Sequence, residues 1–430
     1  MKAMSNISTC SDIYYTDENG KEYSLLKLYA YGKCVWKKQT VKNMWQYIVV
    51  VTAGQEVSVG VSTQGLNDTF DWGDGSTSIG YVNSHTYKKA GTYMISFTDI
   101  GKTNLYYASA VSPSTAVKKI IHPSYCTKLY ISSAENLEEI DFVLPTSITY
   151  VDSMGNTSCG IADVKLPQGI VTLNNGSFSY LPNLKSVSLP DTLTTIQADA
   201  FRKCEKLGKI VIPDSVTSIG TEAFSYCTAL KDIKFSENVT TIPKYCCRDS
   251  GIENIVIPSK VTKIDSYSFF QCNNIKSIHL NNGLKEIGEQ AFKLITTNTA
   301  VTEIILPTTL ETVRESAFSG WGEKYKGYSN VTSLNIPDSV IAVYAYAFTY
   351  MTSLAKVTVG AGIQYIGQGA FSNNDSLKAI TVKGSPQRIE DYAFGYDTNG
   401  SKIDGFTVYG TSGSNTETYA KENGFNFVAI

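Results

Sequence analysis

The chain has 430 residues and a formal net charge of −2. That is more than one hydrophobic core ordinarily serves, so several domains or a repeat array are expected. Apolar residues make up 42 % and charged residues only 18 %; Thr, Ser, Asn, Gly and Tyr fill the difference, which suits β-rich, surface-exposed proteins, and the lack of a basic excess argues against nucleic acid or an anionic membrane as partner.

The start, MKAMSNISTCSDIYY, lacks the apolar core of a secretory signal. No segment approaches the ~18 continuous apolar residues of a membrane span. Three settings stay open: a protein kept inside the cell that makes it, one that leaves without a signal, and one whose leader has been removed. Residues 1–44 contain a strand-like hairpin, KEYSLLKLYAYGKCVWKK, which is similar to short β motifs of tail and fibre proteins of gut bacteriophages. This N-terminal β segment is a candidate anchor.

Residues 45–101 have another texture. YIVVVTAGQEVSVGVST alternates as strands do, and FDWGDGSTSIGYVNSHTYKKAGTYMISFT follows. The run Phe70-Asp71-Trp72-Gly73-Asp74-Gly75, then His85/Tyr87 and Gly91/Tyr93, resembles the PKD family of small β-sandwich modules. That resemblance implies a spacer or contact module on an extracellular protein or virion. Asp71 and Asp74 invite a catalytic or calcium role. The structural reading is stronger: Asp-Gly is a hairpin signal, because Gly supplies φ > 0 and Asp bonds its own turn, and a calcium site wants six or more oxygens. Trp72 and Tyr93 read as sandwich core.

Residues 102–136 bridge to a repeat and read as the N-terminal cap that an open apolar coil needs. The repeat is seen by aligning AF positions: Phe178, Phe201, Phe224, Cys247, Phe269, Phe292, Phe318, Phe348, Phe371 and Phe394. Between them runs LxxIxI/L, often ending in Pro, as in LKSVSLP, LGKIVIP and VTEIILP. Alternation puts Ile210 and Ile212 on one strand face and Val211 on the other. The Pro stops the strand. Val216 and Ile219 lie on the return path, and Ala223 and Phe224 fill the interior. One such unit cannot bury these side chains, but stacked copies can.

The pattern LxxIxIPxxVxxIGxxAFxxC, read from Leu207 to Cys227, resembles the BspA-like (Treponema-type) leucine-rich repeats. The expected fold is mainly β: a PKD/Ig-like sandwich, then a right-handed solenoid of about twelve coils of ~23 residues over 137–410. Residues 411–430 read as the closing cap, with Ser414 and Glu417 in capping-box spacing, a short helix closed by Gly424, and a final strand. The chain departs from the pattern where Cys247 replaces the interior Phe and where two coils carry insertions.

Nine cysteines are an odd, thinly spread set that makes a poor disulfide framework, and the adjacent pair Cys246–Cys247 lacks zinc-ligand spacing. Cys204, Cys227 and Cys272 each stand three places after the interior Phe position, where Ser250 and Asn374 stand in other coils. A small, weakly polar residue there reads as a stacked column facing inward and bonding backbone groups of the next coil.

No catalytic residues are assigned. His85, His122 and His279 are the three histidines; none lies in a nucleophile–base motif, and no GxSxG, HExxH, Walker or GxGxxG loop is present. No cofactor or metal is implied. Binding positions fall in two places. The insertion SGWGEKYKGYSN, residues 319–330, offers Trp321, Tyr325 and Tyr328 at one rim; these rings either contact a partner or fold back over the solenoid edge. The outward strand face offers Lys234, His279 and Asn335, with Val256 and Ile305 as an apolar patch. The resemblance implies adhesion to a cell-surface protein or glycan, by an extracellular or surface-bound chain. The alternatives are a phage or prophage virion protein displayed on the particle, a structural decoration or spacer, and a carbohydrate-active enzyme, the last without support from any motif.

Overall fold

The computed structural model describes residues 168–320 and 327–430 continuously and, before them, 13–16, 22–25, 27–30, 33–36, 45–60, 69–79, 82–97, 111–112, 117–122, 128–130, 139–142, 150–152 and 161–166. The chain divides into two compact units, 1–150 with 158–170, and 151–157 with 171–430.

In the first unit, Ile13–Thr16 pairs antiparallel with Glu22–Leu25, and Lys27–Ala30 with Lys33–Trp36. Two further sheets carry the expected alternation. One has as successive neighbours Asp163–Lys165, Glu139–Phe142, Val117–His122, Trp45–Val51, Gly91–Phe97, Thr69–Asp71 and Thr77–Ile79. The other joins Val111–Ser112, Glu56–Gly60 and Val82–Thr86. Val49, Val51, Val57, Val59, Phe70 and Trp72 are buried, every second residue of their strands, as a period of two requires. Tyr93 is only half-buried, with its ring stacked on the buried Tyr87 at 4.3 Å. Val117–His122 pairs antiparallel with Trp45–Val51 on one edge and parallel with Glu139–Phe142 on the other. The bridging segment therefore converts antiparallel pairing into the parallel pairing of the repeats.

The second unit is a β-solenoid whose coils have three sides. On the front, strands such as Lys209–Val211 and Asp232–Lys234 pair parallel and in register; Ile210 and Ile212 are buried and Val211 is 46 % exposed. On the side, two-residue strands stack in parallel from Thr241–Ile242 to Arg388–Ile389, with one inward residue each. Gly220 follows such a strand because the preceding coil passes close by: a Cβ there would lie 2.3 Å from the Ala198 nitrogen. The third side is the turn around the interior Phe. Glu222, Phe224 and Tyr226 donate their N–H groups to Lys244, Cys246 and Arg248 of the next coil at 2.8–3.1 Å. The flanking Glu222 and Tyr226 take left-handed φ of 58° and 60°. That conformation costs an L-residue roughly 1–2 kcal/mol; the inter-coil bonds it aims offset the cost.

Inside, the Phe rings form a column. Phe178–Phe201 and Phe201–Phe224 stack at 5.3 and 5.5 Å, and Phe269 through Phe371 continue at 5.0–5.5 Å, with planes within 9° of parallel. Cys247 interrupts it. The same coil carries Phe235, 2 % exposed, where neighbouring coils have Ile212 and Ile257, and its ring meets Phe269 edge-on at 6.4 Å. Bulk lost in the turn is thus returned on the front strand.

The cysteine column is inward and hydrogen-bonded, but in the opposite direction from that expected. Cys204 Sγ donates to Phe178 O at 3.0 Å, Cys227 Sγ to Phe201 O at 3.1 Å and Cys272 Sγ to Cys247 O at 3.0 Å, so each reaches the preceding coil. Asn374 does the same through Nδ2 to Phe348 O at 2.8 Å. Cys204, Cys227, Cys246, Cys247 and Cys272 are free thiols and buried. Burial holds the Cys204 thiol well above its ordinary value and pushes Cys227 and Cys272 up to about 12, which keeps the donating proton in place.

At the C-terminal end the helix Asn415–Asn423 stops at Gly424 with φ 69°, and Asn426–Ala429 adds a strand to the front ladder beside Thr407–Gly410. The capping box differs from expectation: Ser414 Oγ donates to Thr411 O, and Glu417 accepts from Gly413 N–H. Glu417 thus caps one residue earlier than the S-x-x-E spacing implies. No helix among the described residues is long and apolar enough to cross a membrane.

Candidate functional site

The sequence directs attention first to the Asp-Gly turn of residues 71–76. Asp71 Oδ1 accepts from Gly73 N–H at 2.9 Å, and Asp74 Oδ1 accepts from Ser76 N–H at 3.0 Å and from its hydroxyl at 2.5 Å. His85 Nε2 lies 2.7 Å from Asp74 Oδ2, and its ring stacks on Trp72 at 5.3 Å. Serine, histidine and aspartate meet here, but in the wrong order for nucleophilic catalysis. The serine proton goes to the aspartate, and Ser76 Oγ sits 3.4 Å from both ring nitrogens, whereas a triad places the histidine between the other two. Burial would raise the Asp74 carboxyl; the bonds from Ser76 and His85 outweigh it and hold the group below its ordinary value. This is a clamp on the turn. Gly73, at φ 83° with Met94 O 2.6 Å from where a Cβ would stand, admits no other residue.

Among the described residues no group of three or more His, Cys, Asp or Glu side chains gathers as a metal site. Lys234, His279 and Asn335 are exposed on the front ladder, in register with Val211, Val256 and Thr358 respectively. They lie in different coils and do not converge. Val256 and Ile305 are 58 % and 65 % exposed.

The 319–330 rings have two readings, contact with a partner or folding back over the solenoid edge, and the described residues bear on one ring. Trp321 and Tyr325 lie outside the described residues. Tyr328 is fully buried and donates its hydroxyl to Phe292 O at 2.7 Å. It therefore serves the core, supplying the hydrogen bond that Cys204, Cys227 and Asn374 supply in other coils.

The feature not anticipated lies on the turn side. Tyrosines occupy left-handed positions two residues before or after the column Phe: Tyr180, Tyr226, Tyr245, Tyr267, Tyr346, Tyr350 and Tyr392. In the earlier coils cations cover these rings, with Arg202 over Tyr180 and Tyr226, and Arg248 over Tyr226 and Tyr245, at 5.4–5.9 Å. In the later coils Tyr346 is 37 % and Tyr392 51 % exposed. Between the Phe292 and Phe371 coils a concavity of about 260 Å³ opens, bordered by Lys293, Ser316, Ser319, Tyr346, Tyr350 and Asn373. Ser319 is the first residue of the insertion. Burial lowers the Lys293 ammonium below its ordinary value, against the pull of Glu315 and Glu289. The spacing of Tyr about the Phe was the signal for this face; it is visible only once both flanks are known to point outward.

Residues 106–214, 194–324 and 321–412 match the BspA type leucine rich repeat region, in six copies. No match was found among curated proteins. Among solved structures, the chain is similar to a leucine-rich repeat protein from Bacteroides ovatus, at 18 % identity over 87 % of this chain and 98 % of that one, TM-score 0.48. It is similar to the pneumococcal vaccine antigen PcpA at 19 % identity over 97 % and 98 %, TM-score 0.48. A leucine rich cell surface protein from Faecalibacterium prausnitzii shows 17 % identity over 87 % and 96 %, TM-score 0.33.

Proposed function

Because this chain belongs to the BspA-type leucine-rich repeat family, its repeats matching over residues 106–412, we propose that it is a non-enzymatic recognition protein at a cell surface. Its solenoid presents the turn side to a surface protein or glycan. The observation that carries this reading is the concavity beside Tyr346 and Tyr350 at the root of the 319–330 insertion. A binding site of this kind needs a rigid scaffold, and three inter-coil ladders supply one. Exposed tyrosines favour recognition, since they combine area with a polar tip and few rotatable bonds.

The test is a screen of the purified chain on a glycan array and on intact bacterial and epithelial cells. A variant carrying Trp321→Ala, Tyr325→Ala and Tyr346→Ala runs beside it. Binding that disappears in the variant supports recognition through this face. Binding that survives moves the contact to the front ladder, around Val256, His279 and Ile305. Binding to nothing replaces recognition with a spacer or decoration role, and recovery of the native protein with virions would put that role on a phage particle.

A further inference from the structure

The concavity has a lining of unusual uniformity. No Val, Leu or Ile borders it; its side chains are hydroxyls, one amide, one ammonium and two phenol rings. Its volume of about 260 Å³ falls below the ~300–1,000 Å³ of pockets for drug-sized ligands, so it takes one small unit.

The hydrogen-bonding capacity matches a polyol. Ser319 Oγ donates to Ser316 O at 3.1 Å and Thr349 Oγ1 to Tyr346 O at 3.2 Å. Both side chains are almost fully buried, at 1 % and 2 % exposure, so these bonds fix the floor of the concavity rather than face its space. The Asn373 side-chain amide and the Tyr346 hydroxyl bond no described protein group, and the Lys293 ammonium stands at the edge of the space. The Asn373 side-chain amide thus brings both a donor and an acceptor to the space, which is what the hydroxyls of a sugar ring demand. The charge balance selects among sugars. Lys293 is the one charged residue of the lining, and Glu289 and Glu315 both act on it. Among the described residues, the two carboxylates acting on Lys293 leave the lining no positive excess to draw a carboxylated or sulfated unit.

The Tyr346 ring is placed rather than incidental. It stands at φ 56°, where Gly, Asn or Asp cost least; the next coil has Gly369 in the same position. That glycine also makes room: a Cβ on Gly369 would lie 2.6 Å from the Tyr346 ring. Ser316, Tyr350 and Asn373 are left-handed as well, at φ 55°, 61° and 58°, as the same turn positions are in the other coils, so the concavity is built on the regular turn of the repeat. An open phenol face suits the C–H face of a pyranose, whose hydrogens meet the negative face of the ring.

We propose that this concavity seats one neutral pyranose unit of a glycan, stacked on Tyr346 and hydrogen-bonded by the Asn373 side-chain amide at the edge where Lys293 stands. The proposal rests on the recognition reading above and names its ligand.

Saturation-transfer NMR on the full chain tests it, with methyl α-glucoside, methyl α-mannoside, methyl β-galactoside and N-acetylglucosamine as neutral probes, and glucuronate and N-acetylneuraminate as acidic ones. At least one neutral probe should receive saturation. Tyr346→Ala and Asn373→Ala should each weaken it roughly tenfold, a loss of about 1.4 kcal/mol, while Tyr346→Phe keeps the stacking and most of the affinity. Tyr392→Ala, an exposed ring outside the lining, should change nothing and controls for folding. Transfer to acidic probes alone overturns the charge argument. Transfer untouched by Tyr346→Ala and Asn373→Ala overturns the site, and no transfer to any probe overturns the sugar. The same variants on the cell panel separate the two readings: cells that bind and lose binding with Tyr346→Ala, without sugar transfer, leave recognition standing with a protein ligand.

Discussion

At the residue scale, one thiol shows how much a fixed position asks of a side chain. Cys204 is fully buried, and its Sγ donates to Phe178 O, a carbonyl given no other partner by the ladders. Cys204→Val keeps the size and removes the donor, so the carbonyl is left buried and unpaired. The expected loss is about 1–3 kcal/mol, read as a lower urea midpoint with an unchanged slope. Cys204→Ser keeps a donor and should lose less. The position three after the phenylalanine could be read as inward from the residue types there, Cys, Ser and Asn. The direction of the bond could not, because a donor midway between two coils meets carbonyls on both sides. Tyr328 has two readings in the sequence for a related reason: a tyrosine between glycines and lysines can face a partner or fold back, and only the fold brings its hydroxyl to Phe292 O.

At the scale of the element, the coil carrying Phe235 and Cys247 makes a sharper case. Cys247→Phe should overpack the turn by roughly 1–3 kcal/mol. Phe235→Ile should open a cavity costing on the order of 2 kcal/mol. The double variant restores the arrangement of neighbouring coils and should be more stable than the sum of the two losses predicts, with a coupling of about 1 kcal/mol or more. Thermal or urea denaturation of the four proteins measures this. Additivity would mean that the two residues fill unrelated spaces. The period of the repeat was plain from the AF and LxxIxI positions because each coil meets copies of itself. The compensation was not, since it joins residues on different sides of a coil and departs from the period at both.

For the solenoid unit as a whole, stability should follow from neighbour-to-neighbour terms. Deleting residues 207–229 joins Lys206 to Leu230 and removes one full period, so the Phe column, the front ladder and the side ladder close again in register. That variant should keep its β circular dichroism and cooperative unfolding, with a modestly lower melting temperature. Deleting 207–218 removes about half a coil, turns inward residues outward and should abolish cooperative unfolding. The three-sided coil was readable in outline from the strand and return-path residues. The turn side as a surface was not, because the backbone conformation that points Tyr226 and Tyr346 outward is one that tyrosine seldom adopts.

The insertions have a consequence for how such a chain changes over time. Both extra segments, one before Val301 and one at 319–330, enter at the corner after the column phenylalanine. Phe292, Phe318 and Phe348 nonetheless stack at 5.0 and 5.5 Å, and Glu286, Thr312 and Ala342 stay in register. Tyr328 even returns from the far end of the longer segment to supply the bond its coil would otherwise lack. That corner is a port where sequence can be added without disturbing the frame, and a lineage under pressure to change what it touches can vary there while the scaffold is inherited intact.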